Sequence, residues 1–174
     1  MNNASVTDPR ESAPLDVDAA EQMWQTYAAA RPELARTGPE HTVERFGDSA
    51  RLADELLRLV THGPKRATAE LVDAFVSAGD PLPRVGAHWI ACDGEGVPRV
   101  VLRSTELRVT TFDQVDAAFA WDEGEDDRTL ESWRREHSRY WRRTCAARGQ
   151  EWSETDEILL ERFTVVWPPE LADD

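Results

Sequence analysis

The stretch that decides the reading is Gly63-Pro64-Lys65-Arg66-Ala67-Thr68, set between an amphipathic run ending at His62 and another beginning near Ala67. Gly63 follows the last periodic apolar residues of the first run and can take a left-handed cap conformation; Pro64 then stops the helix. Thr68 is a natural N-cap for the next segment, which would present Lys65 on a loop aimed at a helix N-terminus. Unpaired N–H groups and a partial positive charge gather at such a terminus, and with an ammonium and a hydroxyl they suit a phosphate, a carboxylate or a developing oxyanion. The run is not a Walker loop, because Pro64 and Arg66 stand where that motif needs glycine and a hydroxyl residue. A capped helix-to-helix turn with solvated basic residues is the alternative, and spacing alone leaves both open.

Working outward toward the N-terminus, Leu52, Leu56, Leu59 and Val60 form one stripe of a helix capped by Asp48 or Ser49. Residues 31–47 hold Pro32, Gly38 and Pro39 and are expected to cross the surface. Before them, Asp18 and Glu21 have capping-box spacing, and Met23, Trp24 and Tyr27 recur at helical spacing toward Ala30. Residues 1–17 are polar with two prolines and are expected to be a flexible leader. The expected domain covers residues 18–168, with residues 169–174 as a tail.

Toward the C-terminus, Leu71, Val72 and Phe75 predict a helix from Ala67 or Thr68 to Gly79, followed by a proline-rich connection at 80–86. Residues 88–93 read as a strand, Gly94-Glu95-Gly96 as a turn, and 99–111 as a long second strand with a bulge. Asp113 is expected to cap a short helix carrying Val115 and Phe119. The acidic run 122–127 reads as a solvated loop, with a divalent-cation site on Asp122, Glu123, Glu125 and Asp126 as the sharper alternative. Thr129 caps the longest helix, where Trp133, His137, Tyr140, Trp141 and Cys145 have the period of a buried face, His137 being read as packed. Residues 158–167 close the chain as a strand.

Composition bounds the function. The 174 residues suit one domain with a real core. With 34 acidic against 20 basic residues the formal charge is -14, which argues against a broad, non-specific grip on nucleic acid. Cys92 and Cys145 have no ligand spacing and read as small buried residues, and the four histidines form no zinc pattern. No stretch is apolar enough to span a bilayer, so a cytoplasmic location is the expectation.

The order of motifs resembles the ASCH domain family, in particular its larger bacterial members. The resemblance is carried by Phe46-Gly47-Asp48-Ser49, the Gly63–Thr68 run, Pro83-Arg84-Val85-Gly86, Thr105-Glu106, Phe112-Asp113-Gln114-Val115, Leu130-Glu131-Ser132-Trp133-Arg134, His137 and Glu161-Arg162-Phe163. It implies an α+β, PUA-like fold, a small antiparallel β-barrel with helices packed around it, in which residues 63–68 or the proline-rich connection hide further short strands. It also implies an RNA or nucleotide ligand. Two activities are associated with the family: a metal-dependent ribonuclease on single-stranded RNA, with a divalent cation such as Mn, and an amidohydrolase that deacylates acetylated cytidine. The working reading is the ribonuclease; a non-catalytic RNA or modified-nucleotide reader is the third.

By motif, Lys65 and Thr68 match the catalytic positions. The amidohydrolases also use a glutamate on the strand after the hairpin, where this chain has Arg103, with Glu106 the nearest acidic substitute. Gly63, Lys65, Arg66, Thr68, Arg103 and Trp133 are the candidate ligand-binding residues. Trp133 serves equally as a ring under a base or as part of a homodimer interface.

Overall fold

A computed structural model describes residues 12–174; residues 1–11 of the expected leader lie outside the described residues. The first helix, α1 (Val17–Ala30), is capped by Asp16, whose carboxylate accepts the Ala19 N–H at 3.0 Å, so the cap falls two residues before Asp18. Ala20, Trp24 and Tyr27 form its buried face. The expected surface crossing contains a short helix, α2 (Pro32–Thr37), and a four-residue strand, β1 (His41–Glu44). Helix α3 (Ala50–His62) starts at Ser49, whose hydroxyl accepts the Leu52 N–H, and buries Ala53, Leu57 and Val60.

The central run departs from its helix-to-helix reading. Gly63 closes α3 in an extended conformation, not a left-handed one. A strand, β2 (Ala67–Leu71), then takes the place of a helical turn, and only Val72–Ala78 forms a helix, α4. Ala67 to Leu71 has good helix formers, but pairing along its length with the last strand overrides that preference. Thr68 therefore lies within β2 and caps no helix, and α4 starts four residues beyond it, at Val72.

The hairpin is as expected: β3 (His88–Cys92) and β4 (Pro98–Thr111) pair antiparallel, with register shifts near Ala91 and between Ser104 and Glu106. A 3-10 turn at Phe112–Gln114 leads to α5 (Ala117–Glu123), which Asp116 caps in place of Asp113. Helix α6 (Leu130–Ala147) begins at Thr129 as the spacing predicts, and β5 (Glu157–Trp167) closes the sheet.

The strand order is β1-β3-β4-β5-β2, with β1 parallel to β3 and every other pair antiparallel. The sheet is open: β1 and β2 each pair on one side only, so the expected closed barrel is not formed among the described residues. The α+β class stands. Strand alternation divides the core. On one face Ala67, Leu71, Ile158 and Leu160 pack against Phe119, Trp133, Trp141 and Cys145 of α5 and α6. On the other, Trp89, Leu102, Phe163 and Val165 pack under Leu57 and Val60 of α3; Ile90 and Val101, which alternate with Trp89 and Leu102 to the opposite side of β3 and β4, are covered by α1. Large side chains buried this fully contribute about 1.5–3 kcal/mol each. Cys92 and Cys145 are buried and unpaired, and burial pushes the Cys92 thiol up to about 11, which leaves it un-ionised at neutral pH. No helix is long and apolar enough to cross a membrane among the described residues.

Candidate functional site

A cleft of about 1390 Å³ opens on the face of β2 and β5 that looks away from α6's apolar stripe. Strand β1 and α3 form one wall, α4 and the proline-rich connection another, and the start of α6 the third. Its floor comes from strand alternation. Thr68 stands directly across from Glu161 in the β2–β5 register, and the neighbouring Ser104 of β4 donates its hydroxyl to Glu161 Oε1. Glu161 shares its side of β5 with Leu159, Phe163 and Val165, so a carboxyl is carried where the pattern supplies apolar groups. Burial is the main cause that raises its pKa to about 7; Ser104 holds it down, and the Glu44 carboxylate pushes it further up. Trp89 lines the same floor, and its indole N–H favours the ionised form of Glu161 yet meets neither that carboxyl nor any other group in hydrogen-bond geometry.

At the α6 end the cleft wall has a second set of charges. Lys65 is fully buried, its ammonium donating to the Ala67 carbonyl at 2.9 Å and pairing with Glu125. The acidic turn that supplies Glu125 is pressed against the central run: the Arg66 N–H donates to the Asp122 carbonyl at 2.8 Å. Gly124, left-handed at the end of α5, makes this approach possible, since a Cβ there would meet the Lys65 backbone nitrogen at 2.7 Å.

Glu123 is 1% exposed and accepts the Trp133 indole N–H and His137 Nε2, the latter at 3.1 Å. Burial opposes its charge, but His137 and Lys65 outweigh burial and lower its pKa. For His137 burial likewise works against ionisation, and Glu123 reverses it, raising the imidazole. The pair is a buried imidazolium–carboxylate, with His137 stacked on Trp133 at 4.1 Å between ring centroids. The expectation of a packed His137 is met. The acidic run is not the expected solvated loop, since Glu123 is its most buried member.

The expected site residues divide sharply. Thr68 lines the cleft, and Trp133 reaches its wall with both faces covered by His137, Phe112 and Phe119, so it offers no free ring to a base or a second copy. Lys65 lies behind that wall. Arg66 is engaged by Asp173 and the Val60 carbonyl outside the cleft, and Gly63 lies tight against Leu59. Glu106 also lies outside, paired with Arg162 at 2.7 Å, and Arg103, in register with the cleft residue His88, does not itself line the cleft. Sequence reasoning passed over Glu161 as an acid. The available signal was parity: it stands in phase with Leu159, Phe163 and Val165 and between apolar neighbours of that phase, whereas Glu157 opens the strand and is exposed.

One ligand atom from each of Glu123, Glu125 and His137 lies within 4.8 Å of the others, a carboxylate and imidazole set suited to a divalent cation. Glu125 and His137 are already engaged there by Lys65 and by Glu123 Oε2, while Glu123 Oε1 has no hydrogen-bond partner. A cation would have to displace the ammonium and the imidazole proton, so the set fits poorly as it stands.

Comparison with known proteins places this architecture. The crystal structure of an ASCH domain from Lactobacillus crispatus superposes with a TM-score of 0.79 at 25% identity, covering 87% of this chain and 96% of that one. A crystal structure of a protein from Enterococcus faecalis gives 0.74 at 26% identity, over 86% and 88%. No curated protein gives a significant match. The family model described as ASCH domain matches residues 42–167, from β1 to the end of β5, and this chain belongs to the ASCH domain family.

Proposed function

We propose that the cleft binds a neutral nucleoside carrying an acylated amine and hydrolyses that amide, the amidohydrolase chemistry associated with the family. The observation that carries this reading is Glu161, a carboxyl with a pKa of about 7 directly across the β2–β5 ladder from Thr68. A group that titrates near neutrality can both take and return a proton under working conditions. Its carboxylate takes the Thr68 proton as the hydroxyl oxygen bonds to the acyl carbon, then returns that proton to the amine nitrogen as the C–N bond breaks. Water, deprotonated by the same carboxylate, cleaves the threonyl ester, releasing the carboxylic acid and restoring the Thr68 hydroxyl. Glu161 thus takes the part that the family gives to a glutamate at the position held here by Arg103, for which Glu106 was the nearest acidic substitute. Lys65, held by Glu125 and the Ala67 carbonyl, positions the start of β2.

The ribonuclease reading is less well supported. Glu44, Glu70, Glu123, Glu125, Asp126 and Glu161 all line the cleft, and the rim arginines Arg51, Arg84 and Arg143 are paired with Glu55, Glu40 and Asp48. Such a field repels a phosphate backbone and accepts an uncharged ligand.

The test is turnover of acetylated cytidine and of labelled single-stranded RNA, with and without manganese, by the wild type, Thr68→Ala and Glu161→Gln. The expected result is deacylation reduced at least about a hundredfold in each variant, with native circular dichroism and intact RNA. Deacylation at the wild-type rate in both variants would overturn the mechanism, and RNA cleavage abolished by chelator would favour the ribonuclease.

A further inference from the structure

Three cleft-side features go beyond the reaction just described: the Glu123, Glu125 and His137 set, the wall made by α4, which buries none of its residues, and the Trp89 indole. The first is held by Lys65 and by its own imidazole–carboxylate pair, both of which a cation would have to displace, and nothing identifies what the second would close upon. The indole carries an inference.

Trp89 is 8% exposed, and its Nε1–H has no hydrogen-bond partner. A buried donor left in this state is destabilising, and proteins rarely retain one without a use. Two other buried tryptophans show the contrast: Trp133 donates to Glu123 and Trp141 donates to Glu70 at 3.0 Å. Trp152 also lacks a partner, but it packs at the edge of the α6 core and does not line the cleft. Among the described residues, Trp89 alone is a cleft-lining indole with a free N–H.

Its ring is also held. Phe46 and Phe163 pack edge-on against it, with centroids 4.9 and 5.8 Å away, so the donor keeps a fixed position beside the Glu161 carboxyl. We propose that Trp89 is the specificity-determining residue of the cleft, its indole N–H donating to a carbonyl oxygen or ring nitrogen on the edge of the bound base that faces Glu161. The inference rests on the nucleoside reading above and deepens it. A fixed indole donor next to a carboxyl, which accepts when ionised and donates when protonated, matches a planar edge with one acceptor beside a second polar atom. It does not match a purely apolar ring or a phosphate.

The experiment is calorimetric titration of cytidine and of acetylated cytidine into the wild type and Trp89→Phe, with deacylation assayed on the same preparations. Phenylalanine keeps an aromatic ring and deletes the donor. The expected result is roughly three- to tenfold weaker binding in the variant, the range for one hydrogen bond, whatever the smaller ring costs in thermal stability. A role in packing alone would lower stability and leave affinity unchanged. Should the variant not fold, the wild-type protein labelled with nitrogen-15 gives the answer: cytidine shifts the Trp89 indole resonance, assigned through its contacts to Phe163, and leaves that of Trp133 in place. Affinity within twofold of wild type in the variant, or an unmoved indole resonance in the saturated complex, overturns the proposal while any Thr68-dependent deacylation keeps the functional reading. Absence of nucleoside binding to the wild type overturns both.

Discussion

Glu123 and Glu161 are both buried carboxylates on the wall of one cleft, 1% and 8% exposed, and their environments drive them in opposite directions. Glu123 has a cation on each side, His137 and Lys65, and an indole N–H; it is held ionised below its ordinary range. Glu161 has no cation beside it, only the Ser104 hydroxyl and the weaker influence of the Trp89 indole, with Glu44 adding repulsion, and rises to about 7. Burial is similar; the partners differ. A paired buried carboxylate is part of the frame, whereas one left without a cation is available for proton transfer.

The largest way to break this contrast is to remove the cation. Lys65→Met keeps much of the side-chain volume and leaves Glu125 and Glu123 without their ammonium. Breaking one side of a buried pair is expected to cost about 3 kcal/mol, read from urea denaturation at pH 7. Denaturation within 0.5 kcal/mol of wild type, taking about 0.5 kcal/mol as the usual surface effect, would mean that Lys65 is not part of the frame.

Next is the pH dependence of the Glu123–His137 pair. The Glu123 pKa lies below its ordinary 4.5, so its contribution is present above pH 4.5 and lost as pH falls through the folded value. The His137 pKa lies above its ordinary 6.5, so its contribution is present below pH 6.5 and lost as pH rises through the folded value. Glu123→Gln should therefore destabilise most between pH 4.5 and 6.5, by about 2 kcal/mol, and least at either extreme. Thermal melts of wild type and variant across pH 3 to 9, on the order of one per pH unit, check this, and a flat difference would deny the pairing.

Glu161→Gln should do the reverse. A carboxyl raised from 4.5 to about 7 weakens the fold progressively as pH climbs between those values, with the full penalty above pH 7 and none below pH 4.5. The variant is expected to be more stable than wild type by about 2 kcal/mol at pH 8 and equal to it at pH 4. The smallest expected effect is that of Ser104→Ala. Loss of its hydroxyl bond to the Glu161 carboxylate should move the acid limb of the deacylation pH profile upward by about half a unit.

Much of this framework was legible because local chemistry decided it. The extent of α3 with its Ser49 cap, the Thr129 cap and the apolar runs at β3 and β5 are set by side-chain period and caps that act within a few residues, although α3 buries Ala53, Leu57 and Val60 while Leu52, Leu56 and Leu59 of the expected stripe line the cleft. Strands β1 and β2 were not legible, since His41 to Glu44 is short and polar and Ala67 to Leu71 favours a helix in isolation; pairing with distant strands makes both. The site divided in the same way. Thr68 was singled out by its motif and lines the cleft, though from a strand and not from a helix cap. Glu123 was hidden inside the Asp122 to Asp127 run, because its burial comes from Trp133 and His137 on another helix. Glu161 could be read only by its phase among apolar neighbours, and its distance from charge became visible with the sheet.

The most direct test of the account is a carbon-13 NMR titration of the glutamate side-chain carboxyls, with Glu161 assigned by its loss in Glu161→Gln. The account predicts that this carboxyl titrates at about 7 while Glu123 stays ionised to below 4.5. A Glu161 midpoint at the ordinary 4.5 would contradict the account, because the carboxyl across from Thr68 would then be an ordinary carboxylate with no proton to exchange at neutral pH.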